Sequence, residues 1–312
     1  MGRIVDCLLP KVVSVSLGSS ARDHRIELDL CQKRFEVSRV GCDGDKELLK
    51  KRLIQLNDDP MVAAIGLGGL DFFMDCAGHQ FWFREIKPLK KLVPDKPFVG
   101  GGGLKVAFEK SVVPYLTEHY GMDFSDKQVL LLVGLDRYGL ACGFEEAGAQ
   151  VNYGDLLWAL GLPFMMRSQK SFIRTARIVG PMAVQLPFQM LYNSNADHET
   201  ASTYNKKAER EYRRADIIAG DYKFVTQHMP EDMEGKWVIT NTTTPKDIDL
   251  LRDRGIELLV TTTPRLDGRS FGTNLIEACL IAAEGADTAL RPERYVELAY
   301  ECGLMPSVTY LR

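Results

Sequence analysis

The stretch QVLLLVGLDRYGLACGFEEAGAQVNYGD (128–155) constrains the fold more than any other. It reads as an apolar strand, a tight turn, a helix, a second strand and an acid. VLLLV does not alternate apolar with polar residues, as expected of a parallel strand covered on both faces. ADIIAGD (215–221), KWVITNTTTP (236–245) and IELLVTTTP (256–264) repeat the short apolar theme, with helical stretches between them. Strands alternating with helices favour a parallel sheet joined by right-handed crossovers. A Rossmann-like doubly wound parallel-sheet domain is therefore expected over 123–289.

Residues 1–122 read as a smaller N-terminal α/β substrate domain. VVSVSLG (12–18) is a strand ending in a turn, and RIELDLC (25–31) with RFEVSRV (34–40) form a hairpin of period-2 strands. Leucines 48, 49, 53 and 56 share one helical face. VAAIGLGGL (62–70) and PFVGGGGLK (97–105) are strands running into glycines, and DFFMD and QFWFR straddle a turn at Ala77-Gly78-His79. Polar and turn residues at 121–127 mark the boundary. A last helix within 290–312 is placed to pack back on the first domain.

A chain of 312 residues suits roughly two domains. Its 39 basic and 42 acidic side chains leave −3, which advertises no nucleic-acid partner. No run reaches a membrane-spanning length, and Asp6, Pro10 and Lys11 break any signal-peptide pattern. Seven scattered cysteines without CxxC or metal-ligand spacing read as reduced thiols, with no metal. A cytoplasmic protein without a membrane partner is expected, and a homodimer is compatible with the chain.

The turn Gly134-Leu135-Asp136-Arg137-Tyr138-Gly139 keeps the outer glycines of a G-x-G-x-x-G dinucleotide loop and replaces the middle one with Asp136. Asp155 stands 19 residues beyond Asp136, near where an acid would take a ribose diol. Asn241, Thr242, Thr261 and Thr262 end two apolar strands, the edge of a parallel sheet where ligands bind, although Thr244-Pro245 with Asp247 also reads as a plain helix cap. Arg265 and Arg269 follow and would face an anion. In the first domain, glycine-rich strand ends deliver Asp71 and Lys105, a pair able to move a hydroxyl proton if burial depresses the lysine enough. His24 is a secondary acid–base candidate. Ser16, Ser19 and Ser20 form a polar loop suited to a polyol or carboxylate. Lys170, Arg174 and Arg177 share a helical face, read either as solvated or as an anion-facing lid; Pro181 and Pro187 interrupt that stretch. No GxSxG, HExxH or Walker A pattern occurs.

SVSLGSSARDHR, AIGLGGLD, GGGGLK, GLDRYG, YGDLLWALGLP, IIAGD and TTTPRLDGRSFGTN together resemble quinate/shikimate 5-dehydrogenase-like proteins. The resemblance implies a shikimate dehydrogenase-like architecture and an NAD(P)-dependent oxidoreductase acting on a small hydroxylated, anionic metabolite. It makes Lys105 and Asp71 the catalytic pair and NAD or NADP the cofactor. Two further readings stay open: a nucleotide- or S-adenosylmethionine-dependent transferase using the same crevice, and a non-catalytic ligand-binding protein.

Overall fold

The computed structural model describes residues 9–186, 205–266 and 269–312, with the side chains of 265–270 outside the description. Strand β1 (Lys11–Ser16) is followed by β2 (His24–Leu30) and β3 (Lys33–Gly41), then α1 (Lys46–Asp58) and β4 (Val62–Gly68). The two-residue turns of this region have the positive φ angles that a tight hairpin demands: 46° and 67° at Cys31 and Gln32, 52° and 76° at Ala77 and Gly78. The second turn joins β5 (Phe73–Cys76) to β6 (His79–Trp82). Helix α2 (Ile86–Lys90), strand β7 (Phe98–Val99) and the long helix α3 (Gly102–Tyr120) complete this half. The sheet order is β2-β3-β1-β4-β7, parallel except for β2.

The second sheet is built from β8 (Gln128–Leu131), α4 (Tyr138–Glu146), β9 (Gln150–Tyr153), α5 (Asp155–Trp158), α6 (Gln169–Ala183), α7 (Lys206–Arg214), β10 (Ile217–Ala219) and α8 (Tyr222–Gln227). It continues with β11 (Trp237–Thr240), α9 (Pro245–Asp253) and β12 (Leu258–Thr261). After a short hairpin of β13 (Arg265–Leu266) and β14 (Arg269–Ser270) come α10 (Thr273–Glu284), α11 (Pro292–Glu301) and β15 (Ser307–Tyr310). The order is β15-β12-β11-β10-β8-β9, with only β15 antiparallel, and its direction reverses between β8 and β10. The chain is thus a two-part α/β protein with a mainly parallel sheet in each part.

The parts interleave. Helix α3 leaves the first sheet and packs on α4 of the second, while α10 returns from the second sheet to cover β1 and β4 of the first. Helix α11 packs on α3, and β15 then rejoins the second sheet. Helix α10 has almost no polar face, because Leu275, Ile276, Ala278, Cys279, Leu280 and Ile281 are all buried.

The glycine runs serve this packing. At Gly66, a Cβ would come within 2.8 Å of the Asn274 carbonyl of α10. Gly101 holds φ at 91° and would place a Cβ 2.8 Å from the Asn274 amide, so no other residue fits there without displacement. The close approach at both glycines is made by α10.

The expectation of reduced thiols throughout is corrected. Cys31 in the β2–β3 turn and Cys302 after α11 form a disulfide, with Cα atoms 5.1 Å apart. Their 271-residue separation made the pairing invisible to any local spacing rule, and the bond removes the thiol argument for a cytoplasmic location. No helix among the described residues is long and apolar enough to cross a membrane.

Candidate functional site

Lys105 occupies the first turn of α3, facing both the end of β4 and the turn after β8. Its ammonium donates to Asp71 Oδ1 and to Asp136 Oδ1, each at 2.9 Å. Asp71 belongs to the first sheet's strand-end loop and Asp136 to the second's. One cation therefore bridges the two halves. The side chains are 15%, 16% and 4% exposed, so the bridge is largely removed from water.

Arg137 extends the network inward. Its guanidinium meets Asp136 Oδ2 at 3.1 Å, Asp221 Oδ2 at 3.2 Å and Glu109 Oε1. Asp221 in turn accepts from Asn241 Nδ2 at 2.6 Å and from the Lys223 amide at 3.0 Å. Two cations thus face four carboxylates. Burial pushes the Asp71 carboxyl up to about 6 despite Lys105, and it also raises Glu109. Burial acts the same way on Asp136, but Arg137 and Lys105 outweigh it and hold that carboxyl well below its ordinary range. Lys105 itself is pulled down by burial and raised more by Asp136 and Asp71, so it stays protonated.

Beside this bridge lies a crevice lined among others by Phe73, Asp75, Lys105, Asp136, Tyr138 and Gly139. The aromatic walls are braced: Phe73 packs on Trp82 with ring centroids 5.0 Å apart, and Tyr138 stacks on Phe172 at 6.1 Å.

The dinucleotide reading fails at the turn after β8. A pyrophosphate needs free backbone donors there. The Gly134 amide instead donates to Asp155 Oδ2 at 2.9 Å and the Leu135 amide to Asp155 Oδ1 at 2.8 Å. Asp155 was expected to hold a ribose; it folds back and closes the mouth that a phosphate would enter, and an added anion would meet its carboxylate. Gly139, the last glycine of the pattern, is spent on helix packing, since a Cβ there would lie 2.6 Å from the Val106 carbonyl of α3. A Cβ at Gly134 would likewise lie 2.7 Å from the Tyr153 ring. The same closure tells against a nucleotide or S-adenosylmethionine at this turn. The expected general base fails separately, because a lysine gripped by two carboxylates cannot accept a proton.

The remaining candidates are dispersed. His24 starts β2 and packs on Phe271 with centroids 4.7 Å apart. Ser16 Oγ accepts from the Gly18 amide, Ser19 caps a short 3-10 turn, and the Ser20 amide donates to Asp43, so this loop is occupied with itself. The threonine-rich strand ends tie to each other: Thr261 Oγ1 donates to the Thr263 carbonyl at 3.0 Å and Thr263 Oγ1 to the Asn241 carbonyl at 2.9 Å. Thr242 is half-buried, and the buried Thr262 hydroxyl has no hydrogen-bond partner among the described residues. Arg265 pairs with Ser270 and Arg269 with Leu266 in the β13–β14 hairpin, and the side chains of both arginines lie outside the described part. Pro181 lies within α6 rather than ending it, whereas Pro187 falls outside the described residues. No metal-binding cluster occurs among the described residues.

Glu109, Asp221, Asp75, Phe73 and Tyr138 were not singled out from the sequence. Glu109 follows Lys105 by one helical turn and so shares its face, a spacing visible in the sequence.

Two family models match the chain. One, described as domain of unknown function (DUF8754), covers residues 103–311, and another, described as domain of unknown function (DUF8753), covers residues 11–100. No curated protein matches the sequence. Among solved structures, the Caulobacter myo-inositol binding protein matches at 11% identity over 96% of this chain and 93% of its own, with a TM-score of 0.38. A glucose-galactose binding protein from Geobacillus stearothermophilus matches at 11% identity over 97% and 98%, with a TM-score of 0.36. A Mycobacterium smegmatis protein in complex with β-D-fucofuranose matches at 10% identity over 96% and 99%, with a TM-score of 0.34. Since neither matching family model is that of a dehydrogenase, the resemblance to quinate/shikimate 5-dehydrogenase-like proteins is not sustained. With the turn closed and Lys105 protonated, the NAD(P)-dependent oxidoreductase assignment is withdrawn.

Proposed function

For a chain that belongs, over residues 103–311, to the family described as domain of unknown function DUF8754, we propose non-catalytic binding of a small hydroxylated molecule in the crevice around Lys105. The observation that carries this reading is the ammonium of Lys105 joining Asp71 of one half to Asp136 of the other at a crevice wall. Hydroxyl groups both donate and accept, and hydrogen bonds to charged partners are the stronger kind. Asp75 and the Lys105–Asp136 pair supply acceptors and a donor on one side. The rings of Phe73 and Tyr138 offer apolar faces for the carbon skeleton. A sugar or cyclitol carries both kinds of surface. Because Lys105 stays protonated, it orients a hydroxyl without removing its proton.

A thermal-shift panel of free hexoses, pentoses and myo-inositol against the wild type and Asp75→Ala tests this. Binding in the wild type, weakened about tenfold or more by the substitution, with the compound recovered unchanged, is expected. Absence of any shift at millimolar compound, or chemical conversion of the compound, overturns the proposal.

A further inference from the structure

A second cavity lies under α6. Its lining is almost wholly apolar, contributed by Met74 of β5, Val133 and Leu135 after β8, Leu156 of α5, and Phe172 and Val179 of α6. Only two lining side chains are polar, and both are already engaged. Asp155 spends one oxygen on the Gly134 amide and the other on the Leu135 amide. Thr175 donates its hydroxyl to the Ser171 carbonyl at 2.9 Å.

We infer that this cavity is a second ligand site, for a small uncharged apolar molecule such as an aromatic ring or a short alkyl chain. A hydroxylated guest would lose its hydrogen bonds to water and find no replacement among these walls, a cost that an apolar guest does not meet. Apolar cavities of this sort stay dry and accept apolar guests. Met74 and Leu135 line both this cavity and the Lys105 crevice, yet the two differ in chemistry. They select different guests. Leu160, 38% exposed, lines the cavity and also meets solvent, which marks it as part of the entrance. Helix α6 is a cover, with Phe172, Ala176, Val179 and Ala183 inward and Arg174 and Arg177 outward.

The test titrates the full chain with indole, toluene and n-hexanol as probes, read by ligand-observed NMR and by thermal shift, with myo-inositol as a separate arm. Wild type is expected to bind at least one apolar probe. Ala176→Leu, which fills the cavity from α6, is expected to weaken that binding by about tenfold or more, and Asp75→Ala is expected to leave it unchanged. Leu160→Gln at the entrance gives a second variant that does not disturb the core, expected to slow or weaken entry. Failure of all three probes to bind the wild type, or equal binding by wild type and both cavity variants, overturns the inference. The apolar arm uses no hydroxylated compound, so its outcome is independent of whether the Lys105 crevice binds one.

Discussion

A guanidinium surrounded by carboxylates is an all-or-nothing arrangement. Arg137 is 3% exposed and pairs with Asp136, Glu109 and Asp221, so its removal would leave three carboxylates facing each other without a nearby cation but Lys105. Arg137→Ala is expected to cost about 3–5 kcal/mol in urea denaturation; a loss within the noise of a surface substitution would show that the network is not formed. Glu277 tests burial on the other side of α3. Burial pushes its carboxyl up to about 7, against the hydrogen bond from the Tyr295 hydroxyl at 2.9 Å. A carboxyl whose folded pKa exceeds its unfolded value stabilises the fold while protonated; the contribution is complete below about pH 4 and is lost as pH rises through about 7. Burial pushes Asp71 and Asp155 up to about 6, and both act in the same direction. The melting temperature should therefore fall between about pH 4 and pH 7, and Glu277→Gln should flatten the upper part of that fall. A profile that rises across this window contradicts the placement of these groups.

At the scale of elements, the contact of α3 with α4 depends on small residues one turn apart. A Cβ at Gly139 would stand 2.6 Å from the Val106 carbonyl, and one at Gly143 2.8 Å from the Lys110 carbonyl. Both obstacles are backbone and cannot swing aside, so Gly139→Ala should cost about 1–3 kcal/mol in chemical denaturation. A neutral result would mean that the helices have room to part. The disulfide ties the β2–β3 turn to the end of α11, and Cys302→Ser should lower stability by about 2–4 kcal/mol, measured beside the wild type in oxidised and reduced buffer; a reduced wild type as stable as the oxidised one would contradict this.

Strands and hairpins were legible because their signals are local: period-2 runs in β2 and β3, an unbroken apolar run in β8, turn residues at Ala77-Gly78. The helix cap at Thr244 was equally local, and its side chain accepts from the Asp247 amide while Asp247 accepts from the Thr244 amide at 2.7 Å. The partners of buried charges were not local. Asp155 was assigned a ligand when its true partners are two amides about twenty residues earlier. Gly139 was assigned to a phosphate when it answers to a helix that precedes it in the chain. Lys105 and Asp71 meet, and the second carboxylate that decides the lysine's protonation comes from the other sheet.

Over the whole molecule, three chain crossings hold the two sheets in register: α3 outward, α10 back, and β15 outward again. Each charge in the bridge therefore comes from a different segment, and the crevice exists only when both halves are folded together. Glycines that looked like room for a ligand are room for these crossings, which moves the candidate site away from the turn after β8 and onto the Lys105 wall. The most direct test is NMR of the Lys105 side chain in protein carrying carbon-labelled lysine, titrated with myo-inositol and free hexoses and assigned with a Lys105→Met variant. A saturable shift of the Lys105 signal is expected, at a pH where the ammonium remains charged, with the compound unchanged at the end. A Lys105 signal that stays fixed while a hydroxylated compound binds elsewhere, or that titrates as a free amine near neutral pH, would contradict the proposal.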